Sequence, residues 1–227
     1  MMRILAVTAH PDDAEIFMGG SLLAWREVGA ETFILIATDG RLGGKGDAEA
    51  LAAQRAKEAA DGAAVLGAAL SMLGLPDGSL TERLPEVTGL LGAAIRNIAP
   101  DLVMTHPVND YHADHRALAT AVLQAAGFRV PVAHCDPPSG LGVEPRYWID
   151  IGPHAKDKAR AILCHQTQQP ARFVQRAETL SRLRAAQCGD DAGHAEALSF
   201  CPRYPFADIR ALIPPPPRVT PVRDRRD

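Results

Sequence analysis

The sequence predicts an α/β fold in which a mostly parallel sheet is covered by helices on both faces. Three observations carry that reading. Candidate strands alternate with candidate helices along most of the chain. The strands are continuous apolar runs, as in "TFILIA" at 32–37, so both of their faces are buried. Two of them stop at a histidine, His10 and His106, at the carboxyl ends where open parallel sheets collect ligands.

The elements follow in order. Ile4–Thr8 reads as a buried strand. Ala14–Val28 has helical spacing at Ile16, Leu23 and Val28, with Gly29 closing it. Thr32–Ala37 is β-branched and apolar, a second buried strand. "TDGRLGGKGD" is a glycine-rich loop. Ala48–Leu66 is alanine-rich and strongly helical. Leu70–Leu73 is a weaker strand, and Leu80–Ile98 contains a further helix. "DLVMTHP" is a strand, and His112–Ala126 a helix closed by Gly127. Val130–Cys135 and Tyr147–Ile151 read as strands, with a helix over Lys156–Cys164. Residues 1–213 are expected to form one domain. Residues 214–227, "PPPPRVTPVRDRRD", form neither helix nor sheet and are expected to be a disordered polyproline tail.

Composition narrows the function. The 227 residues are 47% hydrophobic and 22% charged, with a net charge of −3. That is the profile of an ordinary globular protein and offers no basic surface for nucleic acid or anionic lipid. The apolar run at the amino terminus is broken by His10-Pro11-Asp12, so no signal peptide is expected, nor any membrane span. The expected location is the cytoplasm. The four cysteines lack a C-x-x-C pair and are expected to be reduced and structural.

Two clusters carry chemistry. "AHPDDAE" follows the first strand. It could be a mere turn, with Asp12 or Asp13 capping the next helix and Glu15 favouring its amino end. Capping, however, needs neither a histidine nor two adjacent acids. "THPVNDYHADHRA" follows a later strand, with Asn109 or Asp110 placed to cap the helix. Its His112 and His115 are three apart and project from one helical face. A strand-end histidine, a nearby aspartate and a helical histidine can converge on one cation. Two imidazoles and one carboxylate, with a fourth position left to water, suit a catalytic zinc. A divalent ion also removes the repulsion between Asp12 and Asp13. One carboxylate can then ligate while its neighbour takes a proton from water.

"AHPDDAE", "HPVNDYHADH", "QRAKEAADGAAVLG" and "KARAILCHQTQ" together resemble the LmbE-like/PIG-L family of zinc-dependent N-deacetylases, over about Ile4 to His165, and "HAEALSF" echoes the family's later part. The resemblance implies a Rossmann-like three-layer fold and hydrolysis of an N-acetyl or other N-acyl group from an amino sugar or glycoside. It implies His10, Asp13 and His115 as metal ligands and Asp12 as general base. It implies His112 as the group that stabilises the oxyanion or protonates the amine, with Asp114 tuning it. Arg55 matches an arginine near the catalytic carboxylate. His106, Asp110 and His165 match residues behind the ligands or in the pocket. Arg41 stands where many relatives carry glutamate facing substrate, which puts the thiol-pathway sugars of some relatives in question. An arginine there could pair with an anionic substrate.

The expected cofactor is Zn²⁺, or another divalent metal such as Fe²⁺; the expected partner is a small N-acetylated sugar or a second copy of the chain. Two alternatives come from other classes. Two histidines and a carboxylate can hold iron(II) for oxygen chemistry, although that chemistry has no use for a free carboxylate base. A magnesium-binding receiver-like domain also carries an acid pair after its first strand, but it has no use for His10 together with His115.

Overall fold

The computed structural model describes residues 1–200 and 209–217. Its strands are β1 (Arg3–Thr8), β2 (Glu31–Thr38), β3 (Ala69–Leu75), β4 (Leu102–Thr105), β5 (Val132–Cys135), β6 (Tyr147–Asp150) and β7 (Ala195–Phe200). Its helices are α1 (Asp13–Glu27), α2 (Ala48–Leu66), α3 (Leu84–Ile98), α4 (Ala113–Ala126), α5 (Ala155–Leu163) and α6 (Pro170–Gln187). The strands form one sheet in the order β3-β2-β1-β4-β5-β7-β6. Pairing is parallel from β3 through β5, and β7 runs antiparallel between β5 and β6.

Both faces of the sheet are covered. Ile4 and Ala6 of β1 pack with α1, α2 and α5, whereas Leu5 and Val7 pack with Val87 and Leu91 of α3 and Leu118 and Val122 of α4. This is the three-layer α/β arrangement that the continuous apolar strands predict. α1 is buried almost throughout Asp13–Leu22, and its close packing rests on Gly20. A Cβ there would stand 2.7 Å from Ile151 Cγ2 and 2.8 Å from Glu196 Oε1. Gly20→Ala is therefore expected to cost about 1–3 kcal/mol in urea denaturation. An unchanged midpoint would mean that Ile151 yields without penalty.

The connections out of β1 run to β2 on one side and, later, to β4 on the other. That reversal opens a crevice at the carboxyl ends of β1 and β4, where His10 and His106 follow the strands.

The structure adds two elements to the predicted order, α6 and β7. Within α6 the buried positions are mostly small, Ala177, Ser181 and Ala185, so the helix carries little apolar periodicity. β7 inserts between β5 and β6, a placement set by tertiary pairing and not by local sequence. The proline run does not begin free of the domain: Pro214 and Pro217 are buried, and the Pro215 carbonyl accepts from Asp150 N at 3.1 Å. The remainder of the expected tail, 218–227, lies outside the described residues. No helix among the described residues is long and apolar enough to cross a membrane. Cys135, Cys164 and Cys188 are free thiols; Cys201 lies outside the described residues.

Candidate metal centre and active site

Sharp turns after β1 and β4 deliver the two sequence clusters to one place. Asp12 adopts φ 115°, a conformation that non-glycine residues hold only where their surroundings enforce it. It precedes α1 but makes no side-chain cap. Asp13 instead closes the turn, its Oδ2 accepting from His10 N at 2.7 Å. On the other side, His112 itself caps α4, its Nδ1 accepting from Asp114 N at 3.2 Å. The predicted caps, Asn109 or Asp110, are not used as such. Asp110 Oδ1 accepts from His112 N at 2.9 Å and holds the cap in place.

Three candidate ligand atoms form a nearly equilateral triangle. His10 Nδ1 and His115 Nε2 are 3.2 Å apart, and each stands 3.3 Å from Asp13 Oδ2. Ligands bound tetrahedrally to zinc at its usual bond lengths are about 3.3–3.4 Å apart. The residues present therefore fit a tetrahedral divalent ion. The opposite ring nitrogens face carboxylates, as metal-bound imidazoles require. His10 Nε2 lies 3.0 Å from Asp77 Oδ1, and His115 Nδ1 lies 3.2 Å from Asp110 Oδ2.

Other groupings of the same side chains fit less well. Asp13, His106 and His115 also cluster, but His106 Nε2 already accepts from Ala9 N at 3.0 Å. His10, His112 and His115 cluster, but the backbone donor at His112 Nδ1 leaves the ring proton on Nε2. In the group His10, Asp77 and Asp114, the Asp114 oxygens take Gly78 N at 2.7 Å and Leu80 N at 3.1 Å.

The acids and imidazoles of the cluster shift one another strongly. Burial alone would raise Asp13, yet the His115 and His106 imidazoles hold it well below the usual carboxylate range. His115 is pushed up to about 9; burial opposes this, and Asp13 and Asp110 overcome it. Asp12 goes the other way. Burial and then the Asp13 charge raise it to about 7, against Arg55. One of two neighbouring acids is thus held ionised, and the other is poised to gain or lose a proton near neutrality.

The triangle opens into a cleft of about 490 Å³. Asp12, Arg55, Asp77 and His112 line it beside the candidate ligands, together with Phe17, Leu42, Tyr111, Gln168, Arg172 and Phe173.

Comparisons with known proteins give the chain's family. Residues 5–126, more than half of the chain, match the family model described as PIG-L, GlcNAc-PI de-N-acetylase. The chain belongs to the PIG-L family. It is 30% identical over 237 residues to a diacetylchitobiose deacetylase of Thermococcus kodakarensis, covering 91% of this chain and 88% of that one. Its fold is similar to that of the N,N'-diacetylchitobiose deacetylase of Pyrococcus horikoshii, with a TM-score of 0.77 at 22% identity, over 93% of this chain and 88% of that one. It is equally similar to GalB, the 4-carboxy-2-hydroxymuconate hydratase of Pseudomonas putida KT2440. There the TM-score is 0.78 at 21% identity, over 88% of this chain and 96% of that one. Deacetylase and hydratase share this fold, so the choice of chemistry has to come from the site.

The remaining residues that the PIG-L resemblance singles out fall into place unevenly. Arg55 is buried, donates from Nη1 to Gly40 O at 2.8 Å and from Nη2 to Pro11 O, and stands 3.4 Å from Asp12 Oδ2. His106 is fully buried and stacks on His115, ring centres 3.8 Å apart. His165 is also buried, 3.3 Å from Glu15 Oε2, and does not line the cleft. Asp114 meets His112 through its backbone amide; its carboxylate turns instead to the loop after β3 and to His10 Nε2 at 3.5 Å. Arg41 is likewise turned from the expected role. Asp39, two residues earlier, is a nearer partner, with Arg41 Nε 2.7 Å from its Oδ2, and Arg41 does not line the cleft.

Asp77 is the residue that sequence reasoning missed. It holds His10 Nε2 with one oxygen and accepts Leu42 N at 3.1 Å with the other, tying the ligand to the glycine-rich loop. Its only signal is "LPDG" directly after a strand. Asp77→Asn is expected to weaken zinc affinity by about 10–100-fold in chelator competition. Unchanged affinity would show that His10 is oriented by packing alone.

Proposed function

We propose that this chain hydrolyses an N-acetyl, or other short N-acyl, group from a small amino sugar or glycoside, with a divalent metal held by His10, Asp13 and His115. The observation that carries the reading is the candidate ligand triangle beside a second acid, Asp12, that is paired with Arg55 and not part of the triangle. His10 Nδ1, His115 Nε2 and Asp13 Oδ2 lie 3.2–3.3 Å apart, while Asp12 makes no side-chain cap and lines the cleft. The Thermococcus relative, a diacetylchitobiose deacetylase, supports the substrate class.

When bound, zinc or a similar ion brings the pKa of its water toward ~7 and polarises the amide carbonyl. Asp12, which lines the cleft beside the candidate ligands, accepts the proton as water adds to the carbonyl carbon. Arg55, fixed by Gly40 O and Pro11 O, keeps the Asp12 carboxylate in place. His112 has Nδ1 occupied by Asp114 N and offers Nε2–H to the developing oxyanion. The C–N bond then breaks; the nitrogen leaves as the amine with a proton from Asp12 or His112, and the acyl group leaves as its carboxylate. The same ligand set could hold iron(II), but the free Asp12 carboxylate favours hydrolysis.

The test is a panel of N-acetylated glycosides incubated with zinc-loaded and chelated protein, with free acetate as the readout. Metal-dependent acetate release from N-acetylglucosamine-type sugars is expected. Metal binding at full stoichiometry with no acetate from any member would reject the deacetylase reading.

A further inference from the structure

Arg172, an exposed arginine with no carboxylate partner among the described residues, lines the same cleft as the candidate ligands. Gln169, at φ 53°, and Pro170 start α6, and Arg172 and Phe173 just after them line the cleft. The Arg172 guanidinium lies over the Phe173 ring, 4.6 Å from its centre, and Arg176 approaches the same ring at 5.9 Å. A cation over an aromatic face is attracted by the ring and still has N–H groups to offer a ligand.

The charges around it give that edge a purpose. Three carboxylates, Asp12, Asp13 and Asp77, line the same cleft. Arg55 is committed to Asp12, and Arg41 outside is committed to Asp39. Among the described residues neither Arg172 nor Arg176 has a carboxylate partner, and Arg172 is the cleft-lining arginine left uncommitted. An anionic substituent would be repelled by the acid-rich wall unless a cation met it at the mouth. The Gln168 amide lines the same wall and adds a neutral donor.

We infer that Arg172 forms an anion subsite and that the substrate carries a compact phosphate or carboxylate in addition to its N-acyl group. The inference rests on the deacetylase reading for the acyl group only. The planar N–H fork matches both oxyanions, and the site therefore selects sugar phosphates or sugar acids over neutral sugars.

The test uses zinc-loaded full-length protein with N-acetylglucosamine, its 1-phosphate, its 6-phosphate and its C6 carboxylic acid. At least one anionic sugar is expected to exceed the neutral one in kcat/KM by about tenfold or more, through KM. Arg172→Gln is expected to collapse that ratio toward one, and Arg172→Lys to restore part of it. A preference for the phosphates alone assigns a sugar phosphate; a preference that includes the acid assigns a carboxylate as well. In parallel, calorimetry measures binding of glucosamine and of glucosamine 1- and 6-phosphate and the corresponding amino acid sugar, which needs no turnover. Anion-dependent binding that Arg172→Gln removes, without acetate release from any sugar, would sustain the subsite while the deacetylase reading fails. Equal binding and equal kcat/KM for neutral and anionic sugars, or a preference that survives Arg172→Gln, would overturn the inference and leave Arg172 as solvated surface.

Discussion

An Asp12→Asn protein is expected to keep its full complement of zinc and lose at least about a hundredfold in kcat. The amide preserves the size of the side chain but cannot take the proton from water. Metal should stay, because Asp13 Oδ2 is the oxygen that closes the ligand triangle, 3.3 Å from both His10 Nδ1 and His115 Nε2. The neighbouring change, Asp13→Asn, is expected to do the reverse and weaken metal binding first. It also disturbs the turn, since Asp13 Oδ2 accepts from His10 N. The contrast between two adjacent residues is what gives the pair its value. Zinc analysis and steady-state kinetics on both proteins decide it. If Asp12→Asn loses the metal while Asp13→Asn keeps it, the two roles are exchanged. If Asp12→Asn keeps both metal and turnover, the base lies elsewhere.

His115→Ala is expected to remove the metal outright and, with it, metal-dependent turnover. Two of the three edges of the triangle end on His115 Nε2. The two atoms left, His10 Nδ1 and Asp13 Oδ2, make an incomplete set, and an affinity loss larger than the about 10–100-fold of an outer partner is expected. The fold should survive. β1 and β4 pair through backbone hydrogen bonds, and the apolar packing of α4 runs through Leu118 and Val122, although the His115 ring also stacks on His106. Elemental analysis beside circular dichroism checks both halves of the expectation. Zinc retained at one per chain in a folded His115→Ala protein would remove His115 from the ligand set.

Much of this architecture is legible in the sequence because burial on both faces leaves continuous apolar strands, and β1, β2, β4 and β5 all show them. The candidate site is legible because histidines and acids directly after strands have few structural excuses. What escaped has physical reasons. α6 hides because small residues, not a stripe of large apolar ones, face the core at Ala177, Ser181 and Ala185. β7 hides because antiparallel insertion between β5 and β6 is a tertiary outcome. Asp77 was invisible because a lone aspartate before glycine in a loop reads as turn chemistry. The residue type of Arg41 fits an anion contact, and the structure adds a partner two residues away in the same loop, Asp39. Arg172, which lines the cleft along with Arg55, sits on the helix the sequence pattern did not announce.

The central claim is the identity of the three ligand atoms, and an anomalous-difference map from zinc-soaked crystals addresses it most directly. The account predicts one peak per chain, about 2.0–2.2 Å from His10 Nδ1, Asp13 Oδ2 and His115 Nε2, with the fourth position toward the cleft and Asp12. A peak bound instead through His10 Nε2 to Asp77 and Asp114, or one that includes His112 or His106 as a ligand, would contradict it.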